Sequence, residues 1–478
     1  MVLTTGLWGW WLGLIPYNIR FYFPTEASDR SMSQDDQPLD VLAALIERAK
    51  AAGADAADAV LVGGTSLSLS RRLGKPESLT RSEGADLGLR VLIGRRQAIV
   101  SSSDLSSSAM DELAARAVAM AGAVPEDPFC GLAEADLLAT EDSGLDLCDT
   151  AEPPPETLTE WTARAEDAAL GVAGVTNSEG AEAGWQRFSV ALAASNGFAR
   201  AYTTTRYSLS VAVLAGEGTA MERDYDYAST VHAEDLRSPE KIGRVAGEKA
   251  VARLNPRKVA TAQVPVIYDP RVAGGIVRHL AGAINGAAVA RGTTFLKDKL
   301  GEKIFSPSVT IVDDALRRRG LRSKPFDGEG VATRRHAVVE NGVLKTWILD
   351  LRSARQLKME TTGHASRGTS SPPSPGATNL YLEPGTVSSN ALMADIETGF
   401  YITELIGFGV NGVTGDYSRG AGGFWIEKGE RAYPVSEVTV AGNLADMFLG
   451  LTAADDLEFR YGTDSPTLRI DGMTVAGQ

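Results

Sequence analysis

GGIVRHLAGAINGAAVARGTTFLKDKLG, from Gly274 to Gly301, is the stretch on which the reading of this chain turns. Its small and apolar residues predict a helix over about 270–290, followed by a glycine-punctuated basic loop. A helix that holds a catalytic metal must offer imidazole or carboxylate lone pairs that converge on one ion. His279 stands where such a helix places its first ligand. The next residue, where a general-base Glu is needed, is Leu280, and the position of a second His is held by Ile284. Leucine and isoleucine supply no lone pairs. The segment therefore has the outline of a metallopeptidase helix without its chemistry, and His279, among Ala, Gly, Ile and Val, reads as a packed imidazole. His232, His336 and His364 form no short-spaced pair. His364, in TTGHASRG, reads as a loop residue that can approach a cleft, but its neighbours Thr361, Thr362 and Ser366 are poor metal ligands.

Composition narrows the partners. The 478 residues carry 61 acidic and 47 basic side chains, a net charge of −14, with no basic tract beyond Arg317–Arg319. That balance argues against nucleic acid as the main partner. Cys130 and Cys148 form neither a disulfide framework nor a CxxC site, which fits a reducing cytoplasm. The apolar run Leu7–Ile15 is too short to span a bilayer, and no positive residue precedes it. Residues 1–31 read as an extension outside the fold, with Met32 opening the folded chain; a membrane-surface anchor is the alternative.

Periodicity organises the rest into an α+β protein. LDVLAALIERAKAA, from Leu39, has helical spacing and stops at Gly53. From Ala59 the period changes to two, giving three strands joined by glycine-containing turns up to Asp104. Residues 106–123 return to helix, with Ser108 as candidate cap. This is a first helix–meander–helix block over 32–123. Residues 124–155, with Pro125, Pro128 and Pro153–Pro155, read as a linker or covering strap. A second, similar block over 156–255 has a helix from Glu156, four short strands between 172 and 215, and a helix opened by Ser238-Pro239. Residues 256–478, rich in glycine and short strands, read as a β-rich C-terminal domain.

Five further motifs have a structural reading beside a functional one. Gly407-Phe408-Gly409-Val410-Asn411-Gly412 matches GxGxxG, but VTGDYSRGAGG after it is a poor helix former, so the dinucleotide reading gives way to tight turns. Arg291, Lys297, Lys299 and Lys303 suit a phosphate or carboxylate site, or a subunit contact, but Asp298 and Glu302 are interleaved with them and the group reads as a solvated face. In MERDYDYA, an extended chain places Glu222, Asp224 and Asp226 on one face, either to bind a cation or to pair with basic residues, with Tyr225 and Tyr227 opposite. Ser101–Ser103 lack a strand–Ser–helix elbow, and no GxSxG occurs. In DYSRGAGGFWIEKG, unobstructed backbone at Asp416, Tyr417, Ser418, Gly420, Gly422 and Gly423 suits an extended peptide gripped by strand addition. A glycine-rich hairpin with Phe424 and Trp425 simply packed is the other reading.

Several strings, taken together and in order, resemble one family. They are AMERDYDYA (Ala220–Ala228), LAGAINGAAVARGTTFLKDKLG (Leu280–Gly301), METTGHASRG (Met359–Gly368), TNLYLEPG (Thr378–Gly385) and FYITELIGFGVNGVTGDYSRGAGGFWIEKGE (Phe400–Glu430). They resemble the PmbA, or TldE, branch of the TldD/PmbA family, over roughly 39–477. The resemblance implies a heteromeric zinc peptidase for unstructured or leader peptides. In it a TldD-type partner carries zinc on an H-E-x-x-x-H helix and a Cys, and the PmbA-type subunit lacks those ligands. Leu280 and Ile284 put this chain on the ligand-free side, and no cysteine follows Cys148. The expectation is then no catalytic residue, metal or cofactor in this chain, zinc in the partner, and a substrate-holding role, despite an older family label as modulator of DNA gyrase. A non-enzymatic, homo-oligomeric peptide-binding protein is the alternative, and dependence on a partner tells the two apart.

Overall fold

The computed structural model describes residues 38–141 and 143–477; the expected extension at 1–31 lies outside them. The first block runs α1 (Pro38–Ala51), β1 (Ala56–Arg72), β2 (Lys75–Ile93), β3 (Arg96–Ser102) and α2 (Ser107–Ala123). The second runs α3 (Pro155–Leu170), β4 (Val175–Ala194), β5 (Ala199–Ala215), β6 (Glu222–Thr230) and α4 (Pro239–Ala252). Both have the expected helix–meander–helix order, but they do not form separate sheets. β1 pairs antiparallel with β4, so all six strands make one sheet in the order β3-β2-β1-β4-β5-β6. The four short strands expected between 172 and 215 are two long ones: Gly184 stays in extended register, between Ser68 and Ser208, and makes no turn. The cap of α2 is Ser106 rather than Ser108, its hydroxyl accepting from the Ala109 amide at 3.4 Å.

Helices α1 and α2 bury Leu42, Leu45, Leu113 and Ala117 with Leu87 and Leu89 of β2. Helices α3 and α4 do the same around Trp185, Tyr207 and Leu209. α4 approaches α3 through glycines one turn apart. A Cβ on Gly243 would stand 2.0 Å from the Ala165 carbonyl oxygen, and one on Gly247 2.9 Å from that of Ala169. Gly243→Ala gains about 1 kcal/mol of helix propensity. It also forces two backbones apart, which costs about 1–3 kcal/mol, and a carbonyl oxygen cannot swing aside as a side chain can. A net loss of about 1 kcal/mol is expected, read as a lower urea midpoint; an unchanged or raised midpoint would contradict this packing.

The C-terminal half comprises β7 (Ala262–Tyr268), α5 (Pro270–Ala283), α6 (Gly286–Ala290), β8 (Ile311–Asp314), β9 (Arg335–Glu340), β10 (Val343–Leu344), α7 (Leu351–Leu357), β11 (Ala365–Ser366) and β12 (Ser374–Pro375). It continues through β13 (Leu380–Leu382), α8 (Ser389–Met393), β14 (Thr398–Ile406), β15 (Asp416–Glu427), β16 (Glu430–Asn443), α9 (Leu444–Leu449), β17 (Leu451–Ala453), β18 (Thr463–Asp464) and β19 (Leu468–Ala476). Strands β16-β15-β14-β7-β19 follow one another, and β19 also pairs with β16, closing a β-barrel that leaves those strands without free edges. A second sheet, β10-β9-β8-β13-β18, packs into the same core, with α5 contributing Ile276, Val277 and Leu280.

The proline-rich segment after α2 is a strap between the halves. Ala139 N donates to Gly330 O at 3.0 Å, Thr205 N to Leu147 O at 2.9 Å and Arg319 N to Leu145 O at 2.9 Å. A buried ionic cluster adds a second tie: Asp58 of β1 accepts from Arg90 of β2 and from Arg367 of the C-terminal half, with Glu329 3.8 Å from Arg90.

Candidate functional site

Helix α5 starts on an Asp269 cap, whose carboxylate accepts from Arg271 N at 3.0 Å, with Pro270 at its first position. Ala273, Ile276, Val277, Leu280 and Ala283 form its buried stripe. The helix ends at Ile284, and the Asn285 side chain caps α6 by accepting from Ala287 N and Ala288 N, so the predicted single helix is two. Leu280 and Ile284 are both fully buried, each within the apolar core of the C-terminal half. His279, by contrast, is half-buried on another side, its ring 5.8 Å from that of Tyr417 and nearly perpendicular to it. Burial, and then the charges of Arg419 and Arg278, push its pKa down to about 4.

A zinc ion does not fit these residues. One imidazole is present, the other two positions are hydrocarbon turned into the core, and guanidinium groups stand nearby. Among the described residues no group of three His, Cys, Asp or Glu side chains is placed to hold a metal ion.

His364 is sealed rather than at a cleft. It is 1% exposed, with Nδ1 2.9 Å from Thr362 Oγ1 and Nε2 3.1 Å from Asp313 Oδ1. The order Asp–His–Thr resembles a hydrolytic relay, but Thr362 Oγ1 already accepts from Leu349 N at 2.8 Å and lies in the interior. Burial would raise the Asp313 pKa; His364 and two bonds from Thr378 outweigh it and hold the carboxylate ionised.

The histidines make a pH prediction. Burial and positive neighbours also push His336 down to about 4. The unfolded chain takes up protons on both near pH 6.5, and the folded chain does so only near 4. Stability must therefore fall as pH drops through that window. His279→Leu is expected to weaken this dependence by one of the two protons, seen as a shallower plot of unfolding free energy against pH between 6.5 and 4.5. An unchanged slope would contradict a neutral His279.

For the acidic strand, the structure selects pairing over cation binding. Asp224 accepts from Arg271 at 2.6 Å and Arg253 at 3.3 Å, and Asp226 meets Lys249 at 3.0 Å and Arg237 at 2.9 Å. Glu222 lies 3.7 Å from Arg253. Tyr225 and Tyr227 turn the other way: Arg271 sits over the Tyr225 ring at 4.3 Å, and Tyr227 meets Tyr461 at 5.3 Å. Lys297, Lys299, Lys303 and Arg291 are exposed, as a solvated face requires.

Residues 407–412 form a loop with no helix after it, which leaves a dinucleotide nothing to bind against. The loop lies along β15: Ser418 N donates to Gly409 O at 2.6 Å and Asn411 N to Asp416 O at 2.9 Å. β16 pairs along the opposite edge from Asp416 to Glu427, and β14 completes the loop's side from Gly420. Asp416, Tyr417, Ser418, Gly420, Gly422 and Gly423 thus sit on a strand with both edges paired, and strand addition has no open edge there. Gly423 serves the barrel, since a Cβ on it would lie 1.9 Å from Tyr401 O. Asp416 and Ser418 keep exposed side chains, while Tyr417 is buried.

The arginines around α5 escape sequence reading. Arg206, Arg278, Arg322 and Arg419 are far apart in the chain and form no motif, yet the fold brings them together: burial lowers the pKa of Arg278, with Arg322 and Arg419 adding to it against the pull of Tyr227 and Asp464, and burial and then Arg322 lower that of Arg206.

Residues 57–121, 148–254 and 261–477 match, in order, domain 1, the central domain and the C-terminal domain of the PmbA/TldA metallopeptidases. The chain is 38% identical to the metalloprotease PmbA of Escherichia coli O157:H7 over 426 residues, covering 89% of this chain and 93% of that protein. It is also 38% identical to the metalloprotease PmbA homolog of Haemophilus influenzae, covering 95% and 99%. The fold matches the crystal structure of TldE from Thermococcus kodakarensis with a TM-score of 0.82 at 21% identity, over 91% of this chain and 100% of that one.

Proposed function

Since this chain belongs to the PmbA/TldD metallopeptidase family, we propose that it is the non-zinc-binding, PmbA/TldE-type subunit of a two-chain peptidase acting on unstructured or leader peptides. The observation that carries this reading is the state of α5. His279 is alone, Leu280 and Ile284 are committed to the core, and the nearby charges are those of arginines. A second, TldD-type chain then holds zinc, whose chemistry is to activate the water that attacks the peptide bond. This chain closes the substrate chamber and holds the extended peptide through side chains on exposed faces, Asp416 and Ser418 among them, rather than through a strand edge.

The first test uses the purified full chain with a fluorescently labelled unstructured peptide and a zinc assay on the same sample. The expected result is no cleavage and less than about one zinc per ten chains, because a lone imidazole holds zinc poorly. Chelator-sensitive cleavage by the chain alone would overturn the proposal. If the peptide binds and no partner chain confers cleavage, the chain is instead a peptide-binding protein without a peptidase role.

A further inference from the structure

We infer that the surface where α5 meets β6 and β18 is a carboxylate-binding site built on Arg278, flanked by Arg322 and Arg419, that takes an acidic group of an extended peptide. The inference rests on the reading of this chain as a peptide-holding subunit and adds the chemistry of what is held.

Arg278 is half-buried and makes no hydrogen bond or ion pair with any described residue. Its guanidinium lies over the second turn of α5, where Gly274 and Gly275 leave room: Cβ atoms on them would stand 3.9 Å from Nη1 and 3.8 Å from Nη2. The same turn packs on β18, with Thr463 O 2.7 Å from the Gly274 Cβ position. Arg322 reaches this point from the other side, its stem crossing Gly462 and Nη1 donating to Thr463 Oγ1 at 3.3 Å. Arg419 comes from β15 and donates to Ile406 O at 3.3 Å. Tyr227, whose ring lies 5.3 Å from that of Tyr461, is the aromatic neighbour of Arg278.

Of the three nearby acids, two are committed to other basic groups, and Asp464 attracts Arg278 only at longer range, its oxygens turned to backbone amides. Asp464 accepts from the amides of Arg460, Tyr461 and Gly462 at 2.9, 2.8 and 3.1 Å. Asp224 is taken by Arg253 and Arg271, and Asp226 by Arg237 and Lys249. In a chain of net charge −14, Arg278 is therefore left without a directly bonded acid, with Arg419 and Arg322 near enough to repel it. A partly desolvated guanidinium without an anion is unfavourable. A carboxylate satisfies it with two parallel N–H···O bonds, whereas a divalent cation would be repelled.

The test titrates the full chain with three labelled peptides of otherwise uncharged sequence: one with a free C-terminal carboxylate, one ending in an amide, and one ending in an amide with a single internal Glu. One of the acidic peptides is expected to bind about tenfold tighter than the neutral one, as a charge-assisted bidentate contact allows. Whichever shows the preference identifies a terminal or a side-chain carboxylate as the source. In Arg278→Gln the preference should fall to within about twofold with the neutral peptide unaffected, and Arg278→Lys should recover part of it, which also shows that loss is not unfolding. Equal affinity for all three peptides, or a preference that survives Arg278→Gln, would overturn this inference while leaving the peptide-holding role intact. No binding of any of them would overturn both.

Discussion

Asp58→Ala is expected to lower the free energy of unfolding by about 3–5 kcal/mol, the usual cost of stranding a buried charge. Asp58 is 2% exposed and faces two guanidinium groups, Arg90 with Nε at 2.9 Å and Arg367, both side chains nearly inaccessible. Burial alone would raise the Asp58 pKa, but Arg367 and then Arg90 outweigh it and hold the carboxylate ionised. The other nearby acid is a poor substitute: burial pushes Glu329 well above the usual carboxylate range, and it stands 3.8 Å from Arg90. Removing Asp58 leaves two cations inside the protein at the junction of the N-terminal sheet with the C-terminal half. The check is urea unfolding followed by tryptophan fluorescence, with Asp58→Asn separating lost charge from lost shape. Because the folded pKa lies below the unfolded one, the stabilisation is fully present above about pH 4 and is lost as pH falls through the folded value. The gap between wild type and Asp58→Asn should close in acid. A loss under about 1 kcal/mol at pH 7 would mean that water reaches the cluster.

The second large effect concerns activity. Mixing this chain with a TldD-type chain that has an intact metal helix should raise cleavage of an unstructured peptide at least about 1,000-fold over this chain alone, since a metal-activated water is then supplied where none existed. Zinc in the mixture should follow the partner chain's concentration. Leu280→Ala, which trims a fully buried hydrocarbon side chain, should act only through stability, at about 2–5 kcal/mol. If both chains together cleave no faster than the partner alone, the two-chain reading fails.

Much of this protein is legible along the chain because the signals are local. The stop after α1, the period-two strands, the Ser238-Pro239 start of α4 and the apolar stripe of α5 each depend on residues a turn or two apart. The most consequential functional statement is local as well: no arrangement of the fold gives Leu280 or Ile284 a lone pair. Local signals misled where a small or polar residue has two plausible uses, as at Gly184, which continues a strand, Ser108, which yields the cap to Ser106, and Asn285, which caps a second helix inside a stretch that reads as one.

What only the tertiary structure decided are the relations between distant segments. β1 found β4, so two similar blocks share one sheet, and β19 reached β16, so the C-terminal strands closed into a barrel. The acidic alternation of β6 was visible in sequence, but its use depended on Arg237, Lys249, Arg253 and Arg271 arriving on other elements. The glycines of β15 looked available to a peptide until β14 and β16 took both their edges, with the loop at 409–411 covering the residues just before them. The arginines at 206, 278, 322 and 419 have no pattern at all until the chain folds. Period and capping are written in neighbouring residues, whereas electrostatic environment and edge pairing depend on which remote segments the core brings together, and no short window of sequence contains that information.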